Sequence, residues 1–179
     1  MPWDGTFLFL AELHRDGTLG EPRHIAGGTN ESIFQPDWSP DGVLHFISDR
    51  SGWWNLHRWT GNAARPVRPA EEEHAVAQWE FGYSTYSQLA TDTITLLAQN
   101  GGRTVVRLLH RGELQPLPDL PFTSIKPYLT GQDGQLAIIG SSPDTLPGIQ
   151  LVNLTDGSHT TLAAAGPKQE AATRRSRSQ

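Results

Sequence analysis

Few residues in this sequence stand in an arrangement that could do chemistry. Gly82-Tyr83-Ser84-Thr85-Tyr86 begins like a nucleophile elbow, Gly-x-Ser-x-Gly, in which a serine sits on a strained strand-to-helix turn and both glycines relieve crowding. Tyr86 stands where the second glycine must be and no helical pattern follows, so Ser84 reads as an ordinary strand serine. The seven histidines, His14, His24, His45, His57, His74, His110 and His159, are scattered singly. Without an elbow they complete no triad, and no His-Glu-x-x-His spacing offers two imidazoles to one metal. There is no cysteine, which excludes thiol nucleophiles, disulfide scaffolds and thiolate zinc sites. Neither familiar glycine-rich phosphate loop is present, so nothing calls for a nucleotide, and we expect no cofactor and no metal.

Four residues remain as candidates for substrate binding: Glu71, Glu72, Glu73 and Trp53. The run Glu71-Glu72-Glu73-His74 concentrates carboxylates that an ammonium in a dry cleft would need, although a charge run beside Pro69 also suits a solvated loop. In Trp53-Trp54 adjacent strand residues point to opposite faces, so one indole must look outward and can serve as a platform for a sugar or peptide. Asp49 and Arg50 offer a clamp of opposite charges, or else a turn-stabilising aspartate beside a surface arginine. Trp38, Trp54, Trp59 and Trp79 are expected at strand positions where sheets press together.

The elements that position these residues read as strands. Of 179 residues, 18 are Gly and 13 are Pro, about 17% against a usual 12% or so, which demands many turns. Asp4-Gly5, Asp16-Gly17, Asp41-Gly42, Asn100-Gly101, Asp133-Gly134 and Asp156-Gly157 each suit a tight hairpin turn. Between them lie short β-branched or aromatic runs, several of which alternate: Phe7, Phe9 and Ala11 share one face, as do Leu44, Phe46 and Ser48. No 12-residue stretch has helical periodicity, and Ala70 to Gln78 reads as a loop leading into a strand. The spacing therefore predicts an all-β chain.

A repeat organises it. Pro36-Asp37-Trp38-Ser39-Pro40-Asp41-Gly42 opens a unit of four strands, and Trp79 and Tyr128 open two further units, at spacings of 41 and 49 residues. That period suits one blade of a β-propeller, a twisted sheet of four antiparallel strands. The residues before Pro36 match only the second half of a unit. The expected architecture is an incomplete β-propeller of about three and a half blades, with a half-blade over 1–34, blades over 35–76, 77–124 and 125–163, and a disordered basic tail over 164–179.

The segment from Gln35 to Trp59 also carries a resemblance. Trp38-Ser39-Pro40-Asp41-Gly42 followed by Ser48-Asp49-Arg50-Ser51-Gly52-Trp53-Trp54-Asn55-Leu56 and Arg58-Trp59 resembles the propeller of the prolyl oligopeptidase family of serine peptidases, particularly its dipeptidyl-peptidase and acylaminoacyl-peptidase branches. Met1-Pro2-Trp3-Asp4-Gly5-Thr6 and Trp79-Glu80-Phe81-Gly82-Tyr83-Ser84-Thr85-Tyr86 extend it. The shorter Trp-Ser-Pro-Asp-Gly core is shared with TolB-type repeats. The resemblance implies a lid over an α/β-hydrolase domain that holds the whole catalytic triad, so the chain itself is expected to be no enzyme. Its partners would be that domain or peptide substrates, and the dipeptidyl-peptidase branch grips a substrate's amino terminus with propeller carboxylates. A stand-alone TolB-type interaction module is the alternative, and a propeller hydrolase with a metal in its channel is a third reading.

Charge and hydropathy bound the remaining partners. Residues 1–165 carry ten Lys or Arg against eighteen Asp or Glu, a net −8 that repels phosphate backbones, while residues 166–179 carry a net +3 on a terminus without aromatics. We expect no nucleic-acid partner. No apolar run approaches the roughly 18 residues of a membrane span, and the first residues lack the cationic start of a signal peptide, so a cytoplasmic chain without a membrane partner is expected. Unpaired strand edges at either end of an open ring are expected to favour self-association.

Overall fold

The computed structural model describes residues 4–166, so Met1-Pro2-Trp3 and residues 167–179 of the expected basic tail lie outside the described residues. Fourteen strands form four sheets, and no helix occurs among the described residues. A two-stranded sheet pairs β1 (Phe7–Leu10) with β2 (Arg23–Gly27). A four-stranded sheet follows, built from β3 (Ile33–Trp38), β4 (Leu44–Ser48), β5 (Asn55–Trp59) and β6 (Ala64–Pro66). The next contains β7 (Tyr86–Ala90), β8 (Thr93–Asn100), β9 (Arg103–His110) and β10 (Glu113–Gln115). The last contains β11 (Ser124–Gln132), β12 (Gln135–Ser142), β13 (Thr145–Asn153) and β14 (His159–Ala164). Each sheet is an antiparallel meander in chain order, and none closes on itself. This is the incomplete propeller that the repeat implied: three four-stranded blades and half of another.

Hairpin geometry follows from the turn residues. Asp133 and Gly134 both take positive φ, 52° and 75°, as a two-residue turn matching the strand twist requires. Gly17, Gly42, Gly101 and Gly157 are likewise left-handed. Asp4-Gly5 departs from the expected pattern, because Gly5 is not left-handed; it is required where a Cβ would fall 2.6 Å from the Gly28 carbonyl oxygen. The β9–β10 turn uses Arg111-Gly112, both at positive φ, where an Asn-Gly or Asp-Gly pair would be customary.

Three apolar cores lie between successive sheets. Alternation along β8 shows how: Ile94, Leu96 and Ala98 pack toward β3–β6 with Phe34, Ile47, Leu56 and Tyr86, while Leu97 packs toward β11–β14 with Leu129, Leu136, Ile138 and Val152. A central strand buried on both faces is the signature of blade stacking. The third core joins Ile25 and Ala26 of β2 to Leu44 and Phe46 of β4.

Two tryptophan placements need correction. Trp54 meets Phe34 edge-on at 6.4 Å, and Trp59 packs against the third core, as expected. Trp38 and Trp79, however, are 52% and 69% exposed. Trp38 ends β3 beyond the stacked region, and Trp79 lies in the long loop before β7, which starts only at Tyr86. The aromatic spacing matches the blade period, with Tyr128 inside β11, Trp38 at the exposed end of β3 and Trp79 alone outside the strands.

Candidate functional site

The acidic run is built into the junction between the second and third sheets. After β6 the chain turns at Pro69 and runs along the outer part of β8 and β9. There the Glu72 carboxylate accepts hydrogen bonds from the Arg107 guanidinium of β9, Nη2 at 2.5 Å and Nε at 3.4 Å. Glu73 bridges to Gln99 through its backbone, and its carboxylate accepts the Trp54 amide at 2.9 Å. Glu71 is exposed at the rim of a cavity of about 320 Å³ shared with Arg68, Glu72, His74, Arg107 and Leu114. Two of the three carboxylates, Glu72 and Glu73, are therefore held by structural partners, and Glu71 and Glu72 share the wall of that cavity.

His74 sits beneath this pair, 4% exposed. Burial pushes its pKa down to about 4, opposed by the nearby Glu72 carboxylate and reinforced by Arg107. Its Nε2 is 3.9 Å from Glu72, and its Nδ1 has no hydrogen-bond partner. His45 and His57 differ, since each Nδ1 meets a carbonyl two residues earlier, Val43 at 3.1 Å and Asn55 at 2.9 Å. A neutral, buried imidazole with a free nitrogen at a sheet junction is a pH-sensitive structural element.

Asp49 and Arg50 resolve toward the turn reading. The Asp49 carboxylate accepts the Ser32 amide at 2.7 Å, and Arg50 donates to Glu31 from Nε at 2.9 Å and from Nη2 at 2.7 Å. They fasten the chain entering β3 to the β4–β5 hairpin. Trp53 is the outward indole of its pair, 38% exposed, while Trp54 points inward. Ser84 donates to the Leu129 carbonyl at 2.8 Å and forms a parallel bridge with Tyr128, with no histidine among its bonded partners. Among the described residues no group of three or more His, Asp or Glu could hold a metal ion.

Two features escaped the sequence. Gln35 interrupts β3 at a bulge with φ 46°, a conformation costly for a residue with a Cβ. Its side-chain amide mimics a peptide unit toward β7: Oε1 accepts the Thr85 amide at 2.7 Å and Nε2 donates to the Tyr86 carbonyl at 2.8 Å. The Tyr86 hydroxyl returns a bond to the Gln35 carbonyl at 2.9 Å, and burial holds that phenol well above its ordinary pKa, so it stays a donor. The second feature is an exposed aromatic loop. Trp79 and fully exposed Phe81 flank Glu80, which accepts the Tyr128 hydroxyl at 3.1 Å, and Tyr83 stacks edge-on against Tyr128.

No protein-family model and no curated protein sequence matches the chain. Solved structures do. A crystal structure of puromycin hydrolase matches 93% of the chain with a TM-score of 0.81 at 32% identity, and a mutant of it complexed with PGG matches 96% with a TM-score of 0.83 at 32% identity. A puromycin-hydrolyzing peptidase from Mycobacterium tuberculosis matches 96% with a TM-score of 0.83 at 28% identity. The chain spans only 26% of the length of each. A likeness this complete along the chain, reaching only a quarter of each larger peptidase, agrees with the open stack of blades and with the lack of an elbow at Ser84. The chain is thus similar, over nearly its whole length, to part of puromycin hydrolase, a peptidase of the prolyl oligopeptidase family, as a propeller segment of such a protein would be.

Proposed function

We propose that this chain is a non-catalytic, substrate-gating part of a peptidase, working as a piece of a lid over a hydrolase domain supplied elsewhere. The observation that carries this reading is the match of nearly the whole chain to about a quarter of the puromycin hydrolase and puromycin-hydrolyzing peptidase chains, combined with Glu72, Glu73 and Ser84 being held by structural partners. A lid contributes by excluding water and folded chains from the reacting bond, while cleavage is done by groups it does not own. The exposed loop carrying Trp79 and Phe81 supports the reading as a seat for a neighbouring domain.

Two measurements test it. The purified chain is expected to give no turnover of aminoacyl or acyl-aminoacyl chromogenic substrates, and turnover that disappears in Ser84→Ala would overturn the proposal. Grafted in place of the matching quarter of a puromycin hydrolase, the chain is expected to permit cleavage of tri- and tetrapeptides while a folded protein stays intact. A graft that degrades the folded protein as readily as the peptides would show that the segment gates nothing.

A further inference from the structure

We infer that the outer edge of β14 is a self-association surface that pairs, antiparallel, with β14 of a second copy of this chain across a two-fold axis.

A strand edge offers unpaired N–H and C=O groups to any other edge, so proteins blunt their edges with charge, proline or brevity. The outermost strands of this stack are unequal in that respect. β6 has three residues, including Arg65 and Pro66, and β10 has three, beginning with Glu113. β2 carries Arg23, whose guanidinium lies 5.5 Å over the Trp59 ring and donates to the Gly61 carbonyl. β14 has six residues, His-Thr-Thr-Leu-Ala-Ala, all exposed and with no acidic, lysine, arginine or proline side chain. It is the longest of the four outer strands and carries the least charge.

The backbone of β14 is also presented outward. The Asn153 amide donates to the Ser158 carbonyl at the start of the β13–β14 hairpin. Antiparallel ladders alternate bonded and non-bonded pairs, so the Leu151–Thr160 pair is bonded, and the N–H and C=O groups of His159 and Thr161 face away from β13. At Leu162 the register shifts, and this 59% exposed side chain sits beside Ile149, 43% exposed on the adjacent strand.

A second copy is the occupant this edge fits. Two-fold antiparallel pairing brings the centre of each strand opposite itself, which would set Arg65 of β6 against its own copy, and at β10 and β2 it would bring Glu113 or Arg23 into the seam with no opposite charge across from it. At β14, centred on the outward-facing backbone of Thr161, it sets Thr161 against its own copy and Leu162 against Thr160 of the second copy, with no charge facing its like. The pairing continues the sheet β11–β14 into an eight-stranded one and covers Leu162 and Ile149.

The test is sedimentation velocity on the full chain over a concentration series. A monomer–dimer equilibrium is expected, with Leu162→Lys and Leu162→Glu each weakening the dimer at least about tenfold while far-UV circular dichroism stays unchanged. An equimolar mixture of the two variants is expected to regain the dimer, because opposite charges then lie diagonally across the new strand pair, within reach of each other. Thr160→Lys and Thr160→Glu, also at an exposed position, form a second pair that must behave in the same way. A wild-type chain that stays monomeric throughout, variants that dimerise like wild type, or a mixture that fails to re-associate would each overturn the pairing.

Discussion

The two junctions between four-stranded sheets are fastened differently. Between β3–β6 and β7–β10 the link is made by side chains: the Gln35 amide reads the β7 backbone, Glu72 holds Arg107, and His74 lies beneath them. Between β7–β10 and β11–β14 the link is made chiefly by the backbone, assisted by the Ser84 and Ser87 hydroxyls. Ser84 donates its amide to Pro127, Leu129 donates its amide to Ser84, and the Gly131 amide donates to the Ser87 hydroxyl. The strands approach so closely there that a Cβ on Gly131 would lie 2.5 Å from the Leu89 side chain. Apolar packing fills both junctions, so the difference lies in which polar groups are exposed to loss by mutation. A backbone clasp survives nearly any substitution, whereas a side-chain clasp depends on a single residue.

The largest expected effect tests what the junctions share. Leu129 is 3% exposed in the second core, and Leu129→Ala should destabilise the chain by about 3 to 4 kcal/mol through lost burial and the cavity left behind. Its backbone bond to Ser84 would persist, so urea unfolding should shift to lower midpoint with the fold preserved at low denaturant. A loss under about 1 kcal/mol would mean that the backbone clasp, and not the apolar core, carries this junction.

Gln35→Ala probes the other junction and should cost about 3 kcal/mol, because it strands the Thr85 amide and Tyr86 carbonyl in a buried position. Gln35→Gly separates the two contributions, since it loses the same bonds but relieves the left-handed backbone by roughly 1 kcal/mol. The glycine variant should therefore be the more stable of the two in urea. Equal stabilities would show that φ 46° carries no strain.

The strands are legible because the central strands of the blades are largely buried and turns must carry residues tolerant of positive φ. Phe46, Leu96 and Leu136 alternate with their neighbours, and Asp133-Gly134 announces its hairpin. Arg111-Gly112 was missed because only one residue of the pair is a customary turn former, and the neighbouring β10 is only three residues long. The site was harder to read for a physical reason. A carboxylate run shows its charge but not its counter-charge, and Arg107 lies 35 residues from Glu72. Gln35 carries no local signal, because its amide acts on a strand about 50 residues away. Trp38 and Trp79 depart in the opposite sense: their size argues for burial, yet Trp38 sits at the exposed end of β3 and Trp79 in the loop before β7.

The smallest of these effects concerns pH, and its sign is fixed by His74. Folding lowers this imidazole's pKa from about 6.5 to about 4, so the unfolded chain binds the extra proton first as pH falls. The stabilisation is whole above pH 6.5 and is lost progressively down to pH 4, with a cost of about 2 kcal/mol between pH 7 and pH 5. His45 and His57 are lowered by burial too and add to the same slope, but each has an Nδ1 partner that opposes the shift. His74→Gln should therefore flatten the loss of urea midpoint between pH 7 and pH 5 without removing it, whereas Leu129→Ala should leave that slope as it is in wild type. If the glutamine variant keeps the full slope, the acid sensitivity belongs to His45 and His57 of the β3–β6 sheet, and the side-chain junction is no more sensitive to acid than the backbone one.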